Sequence, residues 1–279
     1  MATWLITGCS TGLGRALAEE ALKAGHSAVI TARDSDSIVD LAEAYPETSL
    51  SLPLDVRFAD QIHTTVDVAN DRFGGVDVLV NNAGYGYRAA VEEGEFDEIK
   101  QMFETNYYGA VSMIHAVLPS MRERSSGTII NISSIGAQQS LAGSGFYTAT
   151  KAALESTTES LRQEVEPLGI RVAIVQPGGF RTDFAGRSLH QSAEAMGVYA
   201  DTAGKRRKEN DTVDGRQAGD PARAAQAIIT LAETPQPPLR LVLGRDALNV
   251  AELDLNQQLD DLMGWESVSL STDFPTEEA

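Results

Sequence analysis

The sequence predicts a doubly wound α/β fold, in which helices cover both faces of one parallel sheet. Three observations lead there. Seven short apolar runs, rich in β-branched residues, recur along the 279 residues. Between them lie stretches with the three-to-four-residue periodicity of amphipathic helices. The runs are also apolar throughout rather than alternating, as strands buried on both faces must be.

Taken in order, Trp4-Leu5-Ile6 is the first run and meets glycine at Gly8. Leu13, Ala16, Leu17, Glu20, Ala21 and Ala24 then recur at helical spacing until Gly25 stops them. Ala28 to Ala32 is the second strand, and Leu50 to Leu54 the third. A helix near Gln61–Phe73 leads to the fourth strand, Val76 to Val80. A long helical segment near Phe96–Arg124 precedes the strand Thr128–Ile132, and a helix around Tyr147–Glu164 precedes Val172 to Val175. A helix from Pro221 to about Ala232 and a strand from Leu239 to Leu243 complete the cycle. No repeat or linker divides the chain, so 1–279 reads as one domain. The stretch 185–219 is polar, contains glycine and is weakly periodic, which suits either a lid over a site or a disordered loop. In the acidic extension 252–279, Leu253, Leu255, Leu259, Leu262 and Trp265 have partly helical spacing; a terminal helix docked on the domain is expected, then a ragged end.

Composition excludes several classes. Forty acidic residues against 22 lysines and arginines give a formal net charge of −18, which repels nucleic acid and anionic lipid. The basic run Lys205 to Lys208 is followed at once by Glu209 and reads as a solvated loop. The one cysteine, Cys9, rules out an intrachain disulfide, and the four histidines stand at no metal-ligand spacing, so no metal is expected. No run approaches the ~20 apolar residues of a membrane span. A soluble, cytoplasmic protein is expected.

The first strand runs into Thr7-Gly8-Cys9-Ser10-Thr11-Gly12-Leu13-Gly14 and then a helix. Glycines there let backbone approach a diphosphate, and the helix start offers free N–H donors. The second strand ends at Arg33, 19 residues after Gly14, followed by Asp34. A guanidinium there grips the 2′-phosphate of NADP, whereas an acid pairs with the ribose hydroxyls of NAD. Arg33 gives NADP(H) preference over NAD(H), with Asp34 as the route to the other cofactor.

Tyr147 and Lys151 form Tyr-x-x-x-Lys on a helix, which projects both side chains from one face. A free tyrosine, with a pKa of about 10, is a poor base near neutrality. A neighbouring ammonium, helped by a cationic nicotinamide ring, lowers that value, so the tyrosine can exchange a proton with a carbinol or carbonyl oxygen. Ser134 lies just beyond the strand Thr128–Ile132, thirteen residues before Tyr147. Carboxyl ends of strands are where open α/β sheets place their sites. Asn81-Asn82-Ala83-Gly84 follows the fourth strand at the same edge, and Asn106 lies among Phe103, Tyr107 and Tyr108.

These motifs, with Leu54-Asp55-Val56 and Pro177-Gly178, resemble the short-chain dehydrogenase/reductase family from about Ala2 to Ala185, and more loosely beyond. The resemblance implies a Rossmann-type sheet of order 3-2-1-4-5-6-7. It implies Tyr147 as the acid/base, Ser134 as the partner of the substrate oxygen, Lys151 on the nicotinamide ribose and Asn106 as support for a proton-relaying water. It further implies that Gly8 to Gly14, Ser10, Thr11 and Leu13 included, cradle the cofactor, and that Asp55 and Val56 contact adenine. Asn82, Ala83 and Gly84 would lie along the adenosine ribose, and Pro177, Gly178, Phe180 and Thr182 at the nicotinamide end. One departure is Thr11, where many NADP-using relatives carry a basic residue; the phosphate clamp then rests on Arg33 alone. Gly179 to Phe184, Gly84-Tyr85-Gly86 and the tail at 271–274 are similar to a bacterial subgroup akin to steroid and retinol dehydrogenases. Tyr85, Phe146, Phe180 and Phe184 suit an apolar substrate pocket, and equally plain core or lid packing.

The expected activity is interconversion of a secondary alcohol and a ketone or aldehyde on a small, apolar substrate, by a homodimer or homotetramer. Two alternatives share the features: a 3-oxoacyl thioester reductase, and a dinucleotide-binding redox sensor without turnover. A basic face for an anionic carrier protein is what the first would need, and the net charge argues against it.

Overall fold

Leu5, Val29, Leu79, Ile129 and Val172 stand side by side across five strands, and all five are buried on one face of the sheet. Their chain neighbours Ile6, Ile30, Val80, Ile130 and Ala173 are buried on the other face. This two-sided burial is what the unbroken apolar runs require. The strands are β1 (Thr3–Ile6), β2 (Ser27–Ala32), β3 (Ser49–Pro53), β4 (Val78–Asn81), then β6 (Gly127–Ile132), β7 (Ile170–Pro177) and β9 (Arg240–Leu243). They form one parallel sheet in the order β3-β2-β1-β4-β6-β7-β9, which is the order expected of seven strands. The structure, a computed structural model, describes residues 1–184, 186–213 and 215–274, with side chains described outside 210–213.

Helices α1 (Gly12–Lys23) and α8 (Pro221–Glu233) cover the face of Ile6 and Ile30, packing Leu17, Ala21 and Ile228 on the sheet. Helices α3 (Ala59–Phe73), α5 (Gly109–Glu123) and α6 (Gly145–Val165) cover the face of Leu5 and Val29, through Ile62, Val66, Met113, Val117 and Leu161. A short helix, α2 (Val39–Ala44), bridges β2 and β3. The long helical segment from Phe96 is α4 (Phe96–Phe103) running into α5 through a π turn at Glu104–Tyr108. Among the described residues no helix is long and apolar enough to cross a membrane.

Three features differ from expectation. The segment 186–213 has structure: β8 (Leu189–Gln191) pairs with β5 (Gly86–Arg88), and α7 (Ala203–Val213) follows. Ala185 and Asp214, at or within the ends of the expected lid, lie outside the described residues. The basic run is not a solvated loop; it is part of α7, and Arg207 pairs with the buried Glu93 at 2.8 Å. Nor is the terminal helix docked along its length. Helix α9 (Arg245–Gly264) buries Ala247 and Ala251, while Leu253, Leu255, Leu259, Leu262 and Trp265 are exposed, as are Val268 and Leu270 of α10 (Glu266–Leu270). Leucine spacing showed an apolar stripe but not whether this chain supplies a surface for it.

Candidate active site

The carboxyl ends of β1, β4, β6 and β7 meet on one edge of the sheet, and the residues singled out by their order gather there. Thr7 fixes the first turn: its Oγ1 accepts bonds from the backbone N–H of Asn82 (3.0 Å) and Ala83 (2.9 Å). Asn82 returns the contact, donating Nδ2 to the carbonyls of Thr7 (2.8 Å) and Gly8 (3.0 Å). Asn82 therefore holds the glycine turn in shape. Gly8 has φ +73°, and a Cβ there would come within 2.9 Å of Ala83 Cα; at Gly14 a Cβ would strike Asn82 and the Gly8 carbonyl. Thr182 faces Gly12 across the turn.

Helix α1 begins with Thr11 extended and without a side-chain cap, and it has no acid in its first turn. Its first N–H donors remain available to an anion. The residues present thus fit the diphosphate of a nicotinamide dinucleotide. Cys9 beneath the turn is fully buried, donates to the Ile6 carbonyl, and burial pushes its thiol up to about 12, so it is inert there.

At the far end of β2, Arg33 is exposed and acts through space on Asp55 and Tyr85. Asp34 spends its carboxylate on the Asp36 N–H, closing a turn. A second guanidinium, Arg15, reaches the same loop through the Ser37 carbonyl (3.1 Å) and Asp40. Asp55 is held by Arg57 at 2.5 Å, whose hydrogen bonds keep its carboxyl below the usual range despite partial burial. Val56 is buried against Gly109.

Tyr147 and Lys151 share a buried face of α6. Ser134, beyond β6, hydrogen-bonds the Tyr147 hydroxyl. Lys151 Nζ donates to the Ile132 carbonyl at 2.9 Å and lies near Gly84 and the Asn106 amide. Burial lowers its pKa to about 8, with Glu155 opposing. Asn106, 1% exposed in the π turn, accepts from the Tyr85 N–H (3.0 Å) and donates to the Tyr85 carbonyl (2.9 Å) and Thr150 Oγ1 (3.1 Å). A π turn at a site is a recurring arrangement, because the extra residue re-aims a side chain.

The tyrosine differs from expectation in one respect. Burial dominates and raises its pKa; the Ser134 bond and the charge of Arg88, not of Lys151, work against it. In the chain by itself Tyr147 is therefore a protonated phenol at neutral pH.

The aromatic candidates divide. Phe184 lies 5.6 Å from the Tyr147 ring, and Tyr85 packs on His190 at 4.8 Å. Phe146 turns towards Gly94 and the Tyr87 ring. Phe180 packs on Gly219 and on the core cluster of Ile6, Ile30 and Leu17. The Pro177-Gly178 turn is tied down by Asp246, which accepts the Gly179 N–H at 2.7 Å.

Sequence reasoning missed four residues at this edge. Thr7 lay in the motif without a role. Glu155, one turn after Lys151, accepts from Ser133 (2.5 Å), Gln176 and Arg240 and sets a negative charge beside the lysine; its i+4 spacing was the available signal. Arg88 and Glu93 gave none, since their partners are distant in the chain.

Comparison with known proteins agrees with this geometry. A family model described as short chain dehydrogenase matches residues 2–193. The oxidoreductase BOA17 of Botryotinia fuckeliana is 36% identical over 249 residues, covering 89% of this chain and 90% of that one. A crystal structure of a short-chain dehydrogenase from Streptomyces avermitilis superposes with a TM-score of 0.92 at 43% identity, covering 98% and 100%. An alcohol dehydrogenase from the archaeon Thermococcus sibiricus, complexed with 5-hydroxy-NADP, superposes with 0.72 at 25% identity, covering 87% and 96%. With its glycine turn, sheet order and Tyr-x-x-x-Lys helix on one edge, the chain belongs to the short-chain dehydrogenase family of oxidoreductases.

Proposed function

We propose that this oxidoreductase interconverts a secondary alcohol and a ketone or aldehyde, prefers NADP(H), and uses Tyr147 as its acid/base. One observation carries the reading: a buried Tyr147 hydroxyl bonded to Ser134, with the Lys151 ammonium and the Asn106 amide gathered at Gly84. The bound nicotinamide supplies or accepts the hydride. In reduction, Tyr147 donates its proton to the carbonyl oxygen as negative charge develops there, and Ser134 holds that oxygen from the other side. Burial keeps Tyr147 protonated and ready for this direction. In oxidation, the Ser134 bond and the nearby Arg88 charge support the phenolate. Lys151 would hold the nicotinamide ribose, and Asn106 would support a water relaying protons to the lysine.

NADP(H) preference is supported by the exposed Arg33, by Asp34 being turned into its own loop, and by Arg15 beside it. The Thermococcus enzyme in its NADP-type complex is consistent with this. Tyr85 and Phe184 form an apolar wall for the substrate body, with 186–213 as its cover. Homodimeric or homotetrameric assembly is supported by the apolar side chains that α9 and α10 expose.

The test is Tyr147→Phe in a carbonyl-reduction assay, alongside a nicotinamide fluorescence titration. Turnover should fall about 10²–10⁴-fold, the usual share of general acid catalysis, with cofactor affinity largely kept. Near-wild-type turnover would refute the assignment.

A further inference from the structure

Arg88 ends β5 with 8% of its surface exposed. Its Nη1 donates to Ser144 Oγ at 2.7 Å, where α6 begins, and its Nε is buried with no hydrogen-bond partner among the described residues. Ser144 and Tyr147 are three residues apart, so they share one side of the helix. The guanidinium is therefore bonded at a residue one helical turn before Tyr147, and its charge acts on the Tyr147 hydroxyl.

A second guanidinium reaches the same place. Arg206, on α7 of the cover, acts on Arg88 through space, and its Nε is likewise buried without a partner among the described residues. Its Nη1 binds Glu209 at 2.9 Å, and Glu209 also acts on Arg88. Among the described residues the side-chain partner of the Arg88 guanidinium is the neutral Ser144 hydroxyl, with no carboxylate in contact with it. Burial and the repulsion from Arg206 pull Arg88 down to about 10, so it is still charged at neutral pH.

Arg207, the next residue along α7, shows how this fold satisfies an arginine that serves structure. It has the buried Glu93 carboxylate at 2.8 Å, together with the Ser192 and Glu194 carbonyls. Burying a charge without such a counterpart is costly. Arg88 carries that cost beside the reacting atoms, where a ligand can relieve it.

We propose that Arg88, seconded by Arg206, binds a carboxylate on the substrate, so that the enzyme acts on an oxo acid and its hydroxy acid. The inference rests on the carbonyl-reduction reading above and names its substrate class. A buried guanidinium bonded to a neutral hydroxyl suits one carboxylate, because guanidinium N–H groups match carboxylate oxygens in pairs. The apolar body between carboxylate and carbonyl lies against Tyr85 and Phe184. The redox balance is untouched: the carbonyl carbon gains a hydride from NADPH, its oxygen gains the Tyr147 proton, and the carboxylate is only a handle.

The test uses the full-length protein with saturating NADPH. Its substrates are 4-oxopentanoate, 6-oxoheptanoate and 4-acetylbenzoate, each compared with its methyl ester, and the three acids are also titrated calorimetrically onto the NADP⁺-loaded protein. At least one acid should exceed its ester in kcat/KM by about tenfold or more, the worth of one charge-assisted hydrogen bond. That ratio should fall to about one in Arg88→Gln, stay partly restored in Arg88→Lys, and drop less in Arg206→Gln. A purely structural arginine would lower thermal stability and leave the ratio alone. An unchanged ratio in Arg88→Gln, or no acid preferred over its ester, overturns the proposal while ester turnover leaves carbonyl reduction standing. If no carbonyl is reduced yet calorimetric acid binding is lost in Arg88→Gln, the anion site stands and carbonyl reduction falls. If no acid binds at all, the anion site falls. Should Arg88→Gln fail to fold, the half-exposed Arg206→Gln carries the same comparison.

Discussion

Replacing Glu93 by leucine should release the segment 186–213 while leaving the sheet intact. The buried Glu93 carboxylate accepts the Ala90 N–H (2.8 Å), the Met196 N–H (2.7 Å) and Arg207 Nη2 (2.8 Å), so it ties the 3₁₀ turn after β5 to the segment 186–213. Removing one member of a buried ion pair costs about 3–5 kcal/mol, because the other charge is left uncompensated. Arg207 keeps two backbone carbonyls and is 12% exposed, so it can lean towards water. The lower end, about 3 kcal/mol, is the appropriate figure, and it corresponds to a rise on the order of 10²-fold in the open population. Hydrogen exchange resolved by peptide is the assay. Amides within 189–206 should lose protection by that factor, while those of β6 and β7 exchange as in the wild type. Equal loss across the sheet, or none in the cover, would refute the idea that this pair acts as a local latch. Acid should act in the same sense. Burial raises the Glu93 pKa, but the Ala90, Met196 and Arg207 contacts outweigh it and hold the carboxyl below its ordinary value. Its stabilisation is therefore complete above the unfolded pKa of about 4.3, and is lost as pH falls through the lower folded value.

Arg33→Asp should move the ratio of NADPH to NADH affinity towards NADH by on the order of tenfold, since a phosphate would meet a carboxylate where it had met a guanidinium; fluorescence titration with both cofactors reads this, and an unchanged ratio removes Arg33 from its role. Lys151→Met should alter the pH dependence of stability. The folded lysine has a pKa of about 8 against about 10.4 unfolded, so between those values the unfolded state holds more protons and wild-type stability rises with pH. The wild-type Tm should accordingly gain on the Lys151→Met Tm between pH 8 and 10 in scanning calorimetry; parallel curves would show that the ammonium is not desolvated.

The central sheet was legible because each strand is a continuous apolar run, and burial on both faces leaves no other reading of Val78 to Asn81 or Gly127 to Ile132. Tyr147, Lys151, Ser134 and Asn106 were legible as a set through order and spacing, and the fold brings them together. The cover was not. Helix α7, at Ala203–Val213, is polar nearly all round, and its hold on the body runs through Arg207 and Glu93, 114 residues apart. Such a pairing leaves no local pattern. Strands β5 and β8 have three residues each, too few for a period to register. The leucines of α9 misled for the opposite reason: their period is real, but a stripe does not name its partner. The raised Tyr147 pKa of the chain by itself was not legible, because burial, invisible in sequence, outweighs neighbouring charge there.

The π turn at Glu104–Tyr108 has a consequence for how much one helix can do. One residue more in a turn, at nearly unchanged direction, rotates everything beyond it by about 100° relative to an unbroken α-helix. Before the turn, Met102 faces Tyr87 and Tyr147; after it, Met113, Ile114 and Val117 face the sheet. A single rod thus serves two separate interiors, each in its own phase, with Asn106 at the change of phase. Helix length here is therefore a coded quantity. Insertions or deletions elsewhere in Phe96–Glu123 would reset the angle between the two halves even where every side chain was kept, and homologous segments should be aligned with a gap allowed at this turn before their residues are compared.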